Sequence, residues 1–144
     1  MNPSSTTFLL DSSVLIKWFS PEADHQLARR LRQDYLEGAC ELIISDLALY
    51  EVANALRYSG RFVATEIALQ VQSIVEMELT ILPLQLSVLA TAIELSLARG
   101  TAVYDGYFVA LAKATGTFCV TADEKLYRKV QDLGFVKLLR ELGR

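Results

Sequence analysis

Short apolar segments alternate with longer amphipathic segments along nearly the whole chain, and this alternation restricts the fold more than any other sequence feature. Apolar runs predict strands at residues 7–10, 41–44, 79–82 and 117–120, and residues 135–138 offer a fifth. Apolar residues at helical spacing predict helices at residues 14–19, 22–37, 45 to 56 or 58, 65–78, 87–99, 104–114 and 123–133. Ser12 and Ser13 are the expected caps of the first helix. Strands that alternate with helices are typical of a parallel, doubly wound sheet, so the sequence predicts an α/β fold.

The length and composition fit one compact domain. A chain of 144 residues is within the usual size of a single domain, and no repeat, low-complexity block or linker divides it. Hydrophobic residues make up 52% of the chain and charged residues 22%, which is enough apolar material for a sizeable core. We therefore expect residues 1–144 to form one domain. Because the net charge is −3, the chain is not broadly basic, and any contact with a nucleic acid should be local.

The cysteine and histidine content excludes two common classes of small protein. Cys40 and Cys119 lie far apart and form no metal-binding pair, and His25 is the only histidine. Zinc centres and disulfide scaffolds need more such residues. The first seven residues are polar and lack basic side chains, and no apolar run reaches the length of a membrane span. We therefore expect a cytoplasmic protein with no signal peptide and no membrane contact.

Four acidic residues stand where such a sheet gathers ligand-binding groups. Asp11 follows the first predicted strand directly, and Asp123 comes three residues after the end of the fourth. Glu51 lies nearly two turns into the helix after the second strand, and Asp105 lies at the start of the helix that leads into the fourth. Ligand sites on parallel sheets lie beyond the carboxyl ends of the strands. The four acids are therefore candidates for one crevice.

The chemistry of four neighbouring carboxylates indicates a divalent cation. Carboxylates gathered in a partly dry crevice raise one another's pKa values, so an ionised cluster needs cations nearby. An all-oxygen site without His or Cys ligands fits Mg²⁺ or Mn²⁺, which bind carboxylates together with waters and phosphate oxygens. Such a cation activates water and stabilises a leaving oxygen. The cluster therefore predicts metal-dependent hydrolysis of a phosphoester.

Each acid also has an interpretation that involves no catalysis. The first and the last of the four stand where helix N-caps stand, and Asp105 would interact favourably with the dipole of its helix. Glu51 interrupts an apolar, alanine-rich helix face, where a salt bridge to Arg57 or Arg61 would explain it. The metal-site interpretation therefore rests on the four acids as a set.

The segments around the four acids are similar to the motifs of a known family. They read LDSSVL at residues 10–15, LYEVANAL at 49–56, YDGYFVALA at 104–112 and VTADEKL at 120–126. In this order they resemble the four acidic motifs of the PIN-domain family, and within it the VapC-type toxins of prokaryotic toxin–antitoxin pairs. Each motif alone is weak, but four in sequence on the expected strands and helices are specific. The resemblance covers nearly the whole chain.

The resemblance implies a three-layer α/β/α sandwich with a central parallel sheet of four to five strands, and a Mg²⁺- or Mn²⁺-dependent endoribonuclease that acts on RNA. It implies that the four acids are the catalytic, metal-binding residues: Asp11, Glu51, Asp105 and Asp123. It also implies that the hydroxyl groups of Ser13 and Thr121 orient carboxylates, although helix capping and a strand-end position explain these two residues equally well. A cognate VapB-type antitoxin, whose C-terminal segment blocks the groove, and a homodimer are implied as well.

Three other functions fit parts of the pattern. A PIN-type nuclease that processes RNA without acting as a toxin would carry the same acids. A phosphoryl-transfer domain with Asp11 as the acceptor would need a second acid beside Asp11 or at Ser13, and the sequence has none there. A binding module without catalysis would use the acids to cap helices and to pair with a basic partner.

Basic and aromatic residues give weaker signals for RNA binding. Seven basic residues are candidate phosphate contacts, with solvated surface charge as the simpler interpretation: Lys17, Arg57, Arg61, Lys113, Lys125, Arg128 and Lys129. Trp18 and Phe19 are candidates for stacking on a base or for binding an antitoxin helix, with packing in the core or in a dimer as the simpler interpretation. Neither set identifies the RNA.

Overall fold

A computed structural model describes residues 5–143, and its centre is a five-stranded sheet in which neighbouring strands are parallel. The strands are β1 (Thr6–Leu10), β2 (Cys40–Ser45), β3 (Thr80–Leu82), β4 (Phe118–Thr121) and β5 (Val136–Leu138). Their order across the sheet is β3-β2-β1-β4-β5. The central strand β1 pairs with β2 on one side and with β4 on the other. The strand order reverses between β1 and β4, and the binding crevices of doubly wound sheets open at this reversal.

Helices cover both faces of the sheet and complete a three-layer α/β/α sandwich, which confirms the predicted fold class. They are α1 (Ser12–Ile16), α2 (His25–Leu36), α3 (Asp46–Ser59), α4 (Ala64–Glu76), α5 (Leu86–Arg99), α6 (Val103–Thr115), α7 (Glu124–Val130) and α8 (Leu139–Leu142). A single 3₁₀ turn, Gln131–Leu133, follows α7. Each parallel strand is therefore joined to the next by at least one helical segment, as parallel pairing requires.

The core extends over both faces of the sheet and is centred on β1, β4 and helix α6. Leu9 and Leu10 of β1 have no exposed surface, and α6 is buried continuously over residues 106–112. Full burial of each large apolar side chain stabilises the fold by about 1.5–3 kcal/mol. Trp18 is buried in the same core, as the packing interpretation of this residue expects. The core thus fixes α6 and, with it, Asp105 in the first turn of that helix.

Helices α5 and α6 pack closely because a glycine lies at their contact. A Cβ at Gly106 would lie 3.0 Å from the Ala92 carbonyl oxygen. Close-packed interiors leave no room for such an atom, so a larger residue would push the two helices apart. The glycine therefore sets the position of the start of α6 against α5.

The first helix differs from its prediction. It begins at Ser12, two residues before the predicted start, and residues 17–19 continue as a turn. Asp11 occupies the N-cap position with extended backbone angles (φ −81°, ψ 172°). The expected caps, Ser12 and Ser13, therefore lie in the first helical turn instead.

The last part of the chain shows three smaller differences. The helix predicted over residues 123–133 is divided into α7 and the 3₁₀ turn, and Thr121 is the last residue of β4. Helix α8 was not predicted, because four residues are too few to show helical periodicity in a sequence.

In the part of the chain described here, no helix combines the length and the apolar character that crossing a membrane requires.

Candidate active site at the carboxyl edge of the sheet

Asp11 lies directly after β1 and is almost fully buried, with a relative exposure of 3%. Its backbone N–H donates to the Val120 carbonyl oxygen at 3.2 Å, which holds the residue against β4. Burial raises the pKa of Asp11 to about 6, the hydroxyls of Ser13 and Thr121 act against this rise, and the charge of Asp105 adds to it. A buried carboxyl group with this pKa readily exchanges its proton for a cation.

Two hydroxyl groups join the loop after β1 to the loop after β4. The Ser13 Oγ donates to Asp11 Oδ1 and accepts a hydrogen bond of 2.8 Å from the Ala122 N–H. The Thr121 Oγ1 lies 3.4 Å from the Ser13 Oγ and accepts a hydrogen bond of 3.1 Å from the Asp123 N–H. The two residues predicted to orient carboxylates therefore contact both loops that carry acids.

Glu51 is the sixth residue of α3 and is half-buried. The Ser12 Oγ donates to Glu51 Oε1 at 2.9 Å. Burial raises the pKa of Glu51, the Ser12 hydrogen bond lowers it, and the charge of Asp105 raises it further. Neither Arg57 nor Arg61 forms an ion pair with Glu51 among residues 5–143, so the salt-bridge interpretation is wrong.

Ser12 is the site residue that sequence reasoning missed. The sequence predicts only a capping role for Ser12, although its position directly after Asp11 on a short helix also indicates a place in the site. The hydrogen bond to Glu51 also requires α1 to pack against α3, which it does. That contact depends on the fold and is not visible in the spacing of residues.

Asp105 lies in the first turn of α6 and is the acid that links the other three. Burial raises its pKa, the charge of Asp123 raises it further, and the Lys129 ammonium group lowers it. The charge of Asp105 in turn raises the pKa of both Asp11 and Glu51. The structure therefore brings Asp105 within electrostatic reach of each of the other three acids.

Asp123 is the N-cap of α7. Its Oδ1 accepts hydrogen bonds from the N–H groups of Lys125 at 2.9 Å and Leu126 at 3.2 Å. The capping interpretation is therefore correct for Asp123, whereas the Asp11 side chain makes no capping bond to α1. Both bonds use one oxygen of Asp123, and Oδ2 accepts none from the described residues. A cation and the helix therefore need not compete for the same atom.

The carboxylate oxygens of the four acids have the chemistry that a hard divalent cation prefers, but they do not yet have the arrangement of a metal site. All four acids offer carboxylate oxygens, which Mg²⁺ and Mn²⁺ prefer. Within residues 5–143, no group of three or more Asp, Glu, His or Cys side chains already has the arrangement of a metal site. Ionised carboxylates repel one another, and a dication between them would remove that repulsion.

Two of the candidate phosphate contacts are engaged elsewhere, and one lies beside the site. Lys17 is nearly buried, and its Nζ donates to a backbone carbonyl oxygen at 2.7 Å. Arg128 pairs with Glu124 of the same helix at 3.4 Å. The Lys129 Nζ donates to the Gly100 carbonyl oxygen at 2.6 Å, in the loop before α6, and its charge lowers the pKa of Asp105.

One known protein family matches this chain. The family model of the PIN domain covers residues 8–131. The chain belongs to the PIN domain family. This membership confirms the resemblance seen in the four motifs, and PIN domains as a family are nucleases. The matched range contains all four acids. No curated protein matches the sequence significantly.

Solved structures share the PIN fold at low sequence identity. PAE2754 from Pyrobaculum aerophilum is 21% identical, with a TM-score of 0.68 over 96% of this chain and 94% of its own. VapC20 from Mycobacterium tuberculosis, described as a toxin that cleaves the sarcin–ricin loop, is 17% identical, with a TM-score of 0.69 over 90% of this chain and 96% of its own. VapBC2 from Rickettsia felis, bound to a DNA fragment from its promoter, is 14% identical, with a TM-score of 0.69 over 92% and 98%. At these identities the likeness shows the fold alone.

Proposed function

We propose that this PIN domain is an endoribonuclease that requires Mg²⁺ or Mn²⁺ and acts in the cytoplasm as the toxin of a VapBC-type pair. The observation that carries the proposal is the geometry around the acids, in which Ser12 donates to Glu51 and Ser13 joins Asp11 to the loop that carries Asp123. The charge of Asp105 acts on both Asp11 and Glu51. Carboxylates that raise one another's pKa destabilise a fold unless a cation compensates them. Perturbed acids of this kind are typical of functional sites.

The side chains around the crevice have separate tasks in this proposal. The four acids hold the cation: Asp11, Glu51, Asp105 and Asp123. Ser13 and Ser12 orient the first two by hydrogen bonds, and the backbone N–H groups of α7 hold the last. When bound, a divalent cation stabilises charge on the phosphate oxygens and promotes attack by water. The water oxygen would bond to phosphorus as the bond from phosphorus to the leaving oxygen breaks, with the water losing a proton to solvent and the leaving oxygen taking one up.

RNA is the substrate class that the comparisons support. The fold is shared with VapC20, whose description names the sarcin–ricin loop as its target. Because the chain carries a net charge of −3, contact with the RNA backbone must be confined to a few cations near the crevice. Lys129 is the candidate for such contact, because its ammonium group uses one donor on the Gly100 carbonyl oxygen in the loop before α6 and has two more to offer.

Exposed apolar side chains support the proposal that this chain binds two protein partners, which are a second copy of the chain and a cognate VapB-type antitoxin. Leu86, Ile93 and Leu97 lie at helical spacing on α5 and are 77%, 44% and 85% exposed. Exposed rings of Tyr50 and Tyr104 border a groove of about 310 Å³ that Leu89 of α5 also lines. Exposed apolar side chains of this kind are typical of protein interfaces. Another structure with this fold is a toxin–antitoxin complex from Klebsiella pneumoniae.

Cleavage of total RNA by the purified protein tests the enzymatic part of the proposal. The wild type and Asp105→Asn are compared with Mn²⁺ and with the metal removed by EDTA, and Asp34→Asn serves as a control remote from the acids. We expect cleavage by the wild type with Mn²⁺, and a loss of at least about a hundredfold in Asp105→Asn. Absence of cleavage by the wild type, or equal cleavage by Asp105→Asn, contradicts the proposal.

Expression in a growing culture tests the toxin role. Induction of the wild type should arrest growth, induction of Asp105→Asn should not, and if a small antitoxin-like protein is encoded beside this gene, its co-expression should relieve the arrest. RNA cleavage in vitro without growth arrest would instead favour a PIN nuclease that processes RNA.

A further inference from the structure

A set of charged side chains ties the end of α5 to α7. The Lys129 Nζ donates to the Gly100 carbonyl oxygen at 2.6 Å. The Arg99 Nη1 donates to the Lys129 carbonyl oxygen at 3.1 Å and also pairs with Asp132 Oδ1. These contacts join residues that are 29 to 33 positions apart in the chain. They therefore connect two elements that the backbone alone leaves far apart.

The connected elements are the ones that present Asp105 and Asp123. Gly100 precedes Asp105 in the loop that starts α6, and Lys129 follows Asp123 on α7. Neighbouring carboxylates repel each other when both are ionised. The contacts of Lys129 and Arg99 hold the loop before α6 against α7, and they therefore oppose the separation that such repulsion favours.

We propose that Lys129, Arg99 and Asp132 form a clamp that positions Asp105 relative to Asp123 for metal binding. This inference rests on the proposed function, in which both acids are metal ligands. The three clamp residues are positioning residues, because they contact one another and the Gly100 carbonyl oxygen.

The clamp contributes more to geometry than to stability. The side chains of Arg99 and Asp132 are 26% and 66% exposed, and ion pairs between exposed side chains contribute little to stability. The Gly100 carbonyl oxygen lies in the tight turn that ends α5, where the backbone is left-handed (φ +70°) and helical hydrogen bonding stops. Lys129 supplies a donor for this oxygen and so fixes the turn that leads into α6.

Mn²⁺ binding by the full-length protein, measured by isothermal titration calorimetry, tests the clamp. Arg99→Gln is the main variant, because it removes two clamp contacts and leaves the Lys129 charge near Asp105. We expect Arg99→Gln to weaken Mn²⁺ binding about tenfold, at the lower end of the losses seen for outer ligand-orienting groups. Lys129→Met should also weaken binding, and Lys129→Arg, which keeps a donor for Gly100, should restore most of it.

Arg128→Gln is the matched control. It removes the same charge from the neighbouring position of α7, but the ion pair of Arg128 lies within that helix. We expect its Mn²⁺ affinity to stay within about twofold of wild type. Thermal midpoints of Arg99→Gln and Arg128→Gln should fall by similar small amounts, so a selective loss of Mn²⁺ binding identifies positioning.

A second measurement on the metal-free protein makes the test independent of catalysis. Amide hydrogen exchange of residues 100–106 should be faster in Arg99→Gln and Lys129→Met than in wild type, and unchanged in Arg128→Gln. Equal Mn²⁺ binding by wild type and Arg99→Gln, or unchanged exchange in this segment, overturns the clamp. If the wild type binds no Mn²⁺, the proposed function fails, and the exchange comparison alone decides whether the clamp exists.

Discussion

The four acids of the crevice form two pairs that are held in different ways. Asp11 and Glu51 accept hydrogen bonds from serine hydroxyls of α1, and we refer to them as the hydroxyl-bonded pair. Asp105 and Asp123 lie at the starts of α6 and α7 and accept no hydroxyl hydrogen bond from the described residues; we refer to them as the helix-start pair. The first pair depends on a few neighbouring side chains. The second depends on where two whole helices are placed.

The two pairs differ in what offsets the unfavourable free energy of ionising carboxyl groups that lie close together. Burial is the main cause of the raised pKa of Asp11, so the hydroxyl-bonded pair includes the acid that costs most to ionise. The helix-start pair receives compensation from helix dipoles, from the N–H groups that Asp123 caps and from the Lys129 charge. Substitutions in the first pair should therefore alter both activity and stability, and substitutions in the second pair should separate the two.

The largest effect is expected from Asp11→Asn. The amide keeps an oxygen that accepts the Ser13 hydrogen bond but cannot ionise, so cleavage should fall by at least about a hundredfold. The variant should also be more stable than the metal-free wild type at pH 8, on the order of 2–3 kcal/mol, because no buried charge remains. Thermal unfolding with and without Mn²⁺ checks both statements. An unchanged melting midpoint at pH 8 would contradict the assignment of Asp11 as a costly buried acid.

The next effect is expected from Ser13→Ala. This variant removes the donor to Asp11 and leaves the Ala122 N–H without its acceptor, which should destabilise the fold by about 1–3 kcal/mol. Cleavage should fall about 10- to 100-fold, as expected for loss of a ligand-orienting group. Chemical denaturation and RNA cleavage measure the two losses. Ser73→Ala, whose hydroxyl bonds only to its own helix, is the control and should keep its activity.

The affinity for Mn²⁺ should depend on pH because Asp11, in the hydroxyl-bonded pair, has a raised pKa. The pKa of Asp11 is about 6 in the folded protein and 3.8 in an unperturbed carboxyl, so between these values the folded chain binds a proton that the unfolded chain has lost. The stability of the metal-free protein should therefore fall as the pH rises from about 4 to 6. Mn²⁺ displaces this proton, so its affinity should rise about tenfold per pH unit up to about pH 6 and then level off.

Calorimetric titration with Mn²⁺ from pH 5 to 8 measures this dependence. Asp11→Asn should show a flatter profile, because it has lost the proton that the cation displaces. An equally steep profile in Asp11→Asn would assign the displaced proton to Glu51 or Asp105, whose pKa values are also raised by burial.

The smallest expected effect is a change in stability, and it distinguishes the helix-capping role of Asp123 from its role in metal binding. Asn caps helices about as well as Asp, so Asp123→Asn should lose cleavage with little change in stability. Asp123→Ala should lose cleavage as well and about 1 kcal/mol of stability, because the N–H groups of Lys125 and Leu126 lose their acceptor. Thermal unfolding of the two variants makes the comparison. Equal stability of Asp123→Asn and Asp123→Ala would show that side-chain capping at this position contributes nothing to the stability of the fold.

The sequence was sufficient for the order of strands and helices and for the edge at which the acids lie. Parallel strands share one carboxyl edge, so the positions of Asp11 and Asp123 after β1 and β4 could be predicted without knowing any contact. The bond between Ser12 and Glu51 could not, because it depends on the packing of α1 against α3. The contact of Lys129 with Gly100 could not either, since nothing in the spacing indicates which loop a surface lysine meets.

The hydrogen bond between Ser13 and Ala122 joins residues that are 109 positions apart. Domains fold as units during synthesis, and β1 leaves the ribosome long before β4 exists. The growing chain therefore carries its first acid without the loop that completes the crevice. The crevice therefore takes shape only after β4 has been synthesised and has packed against β1.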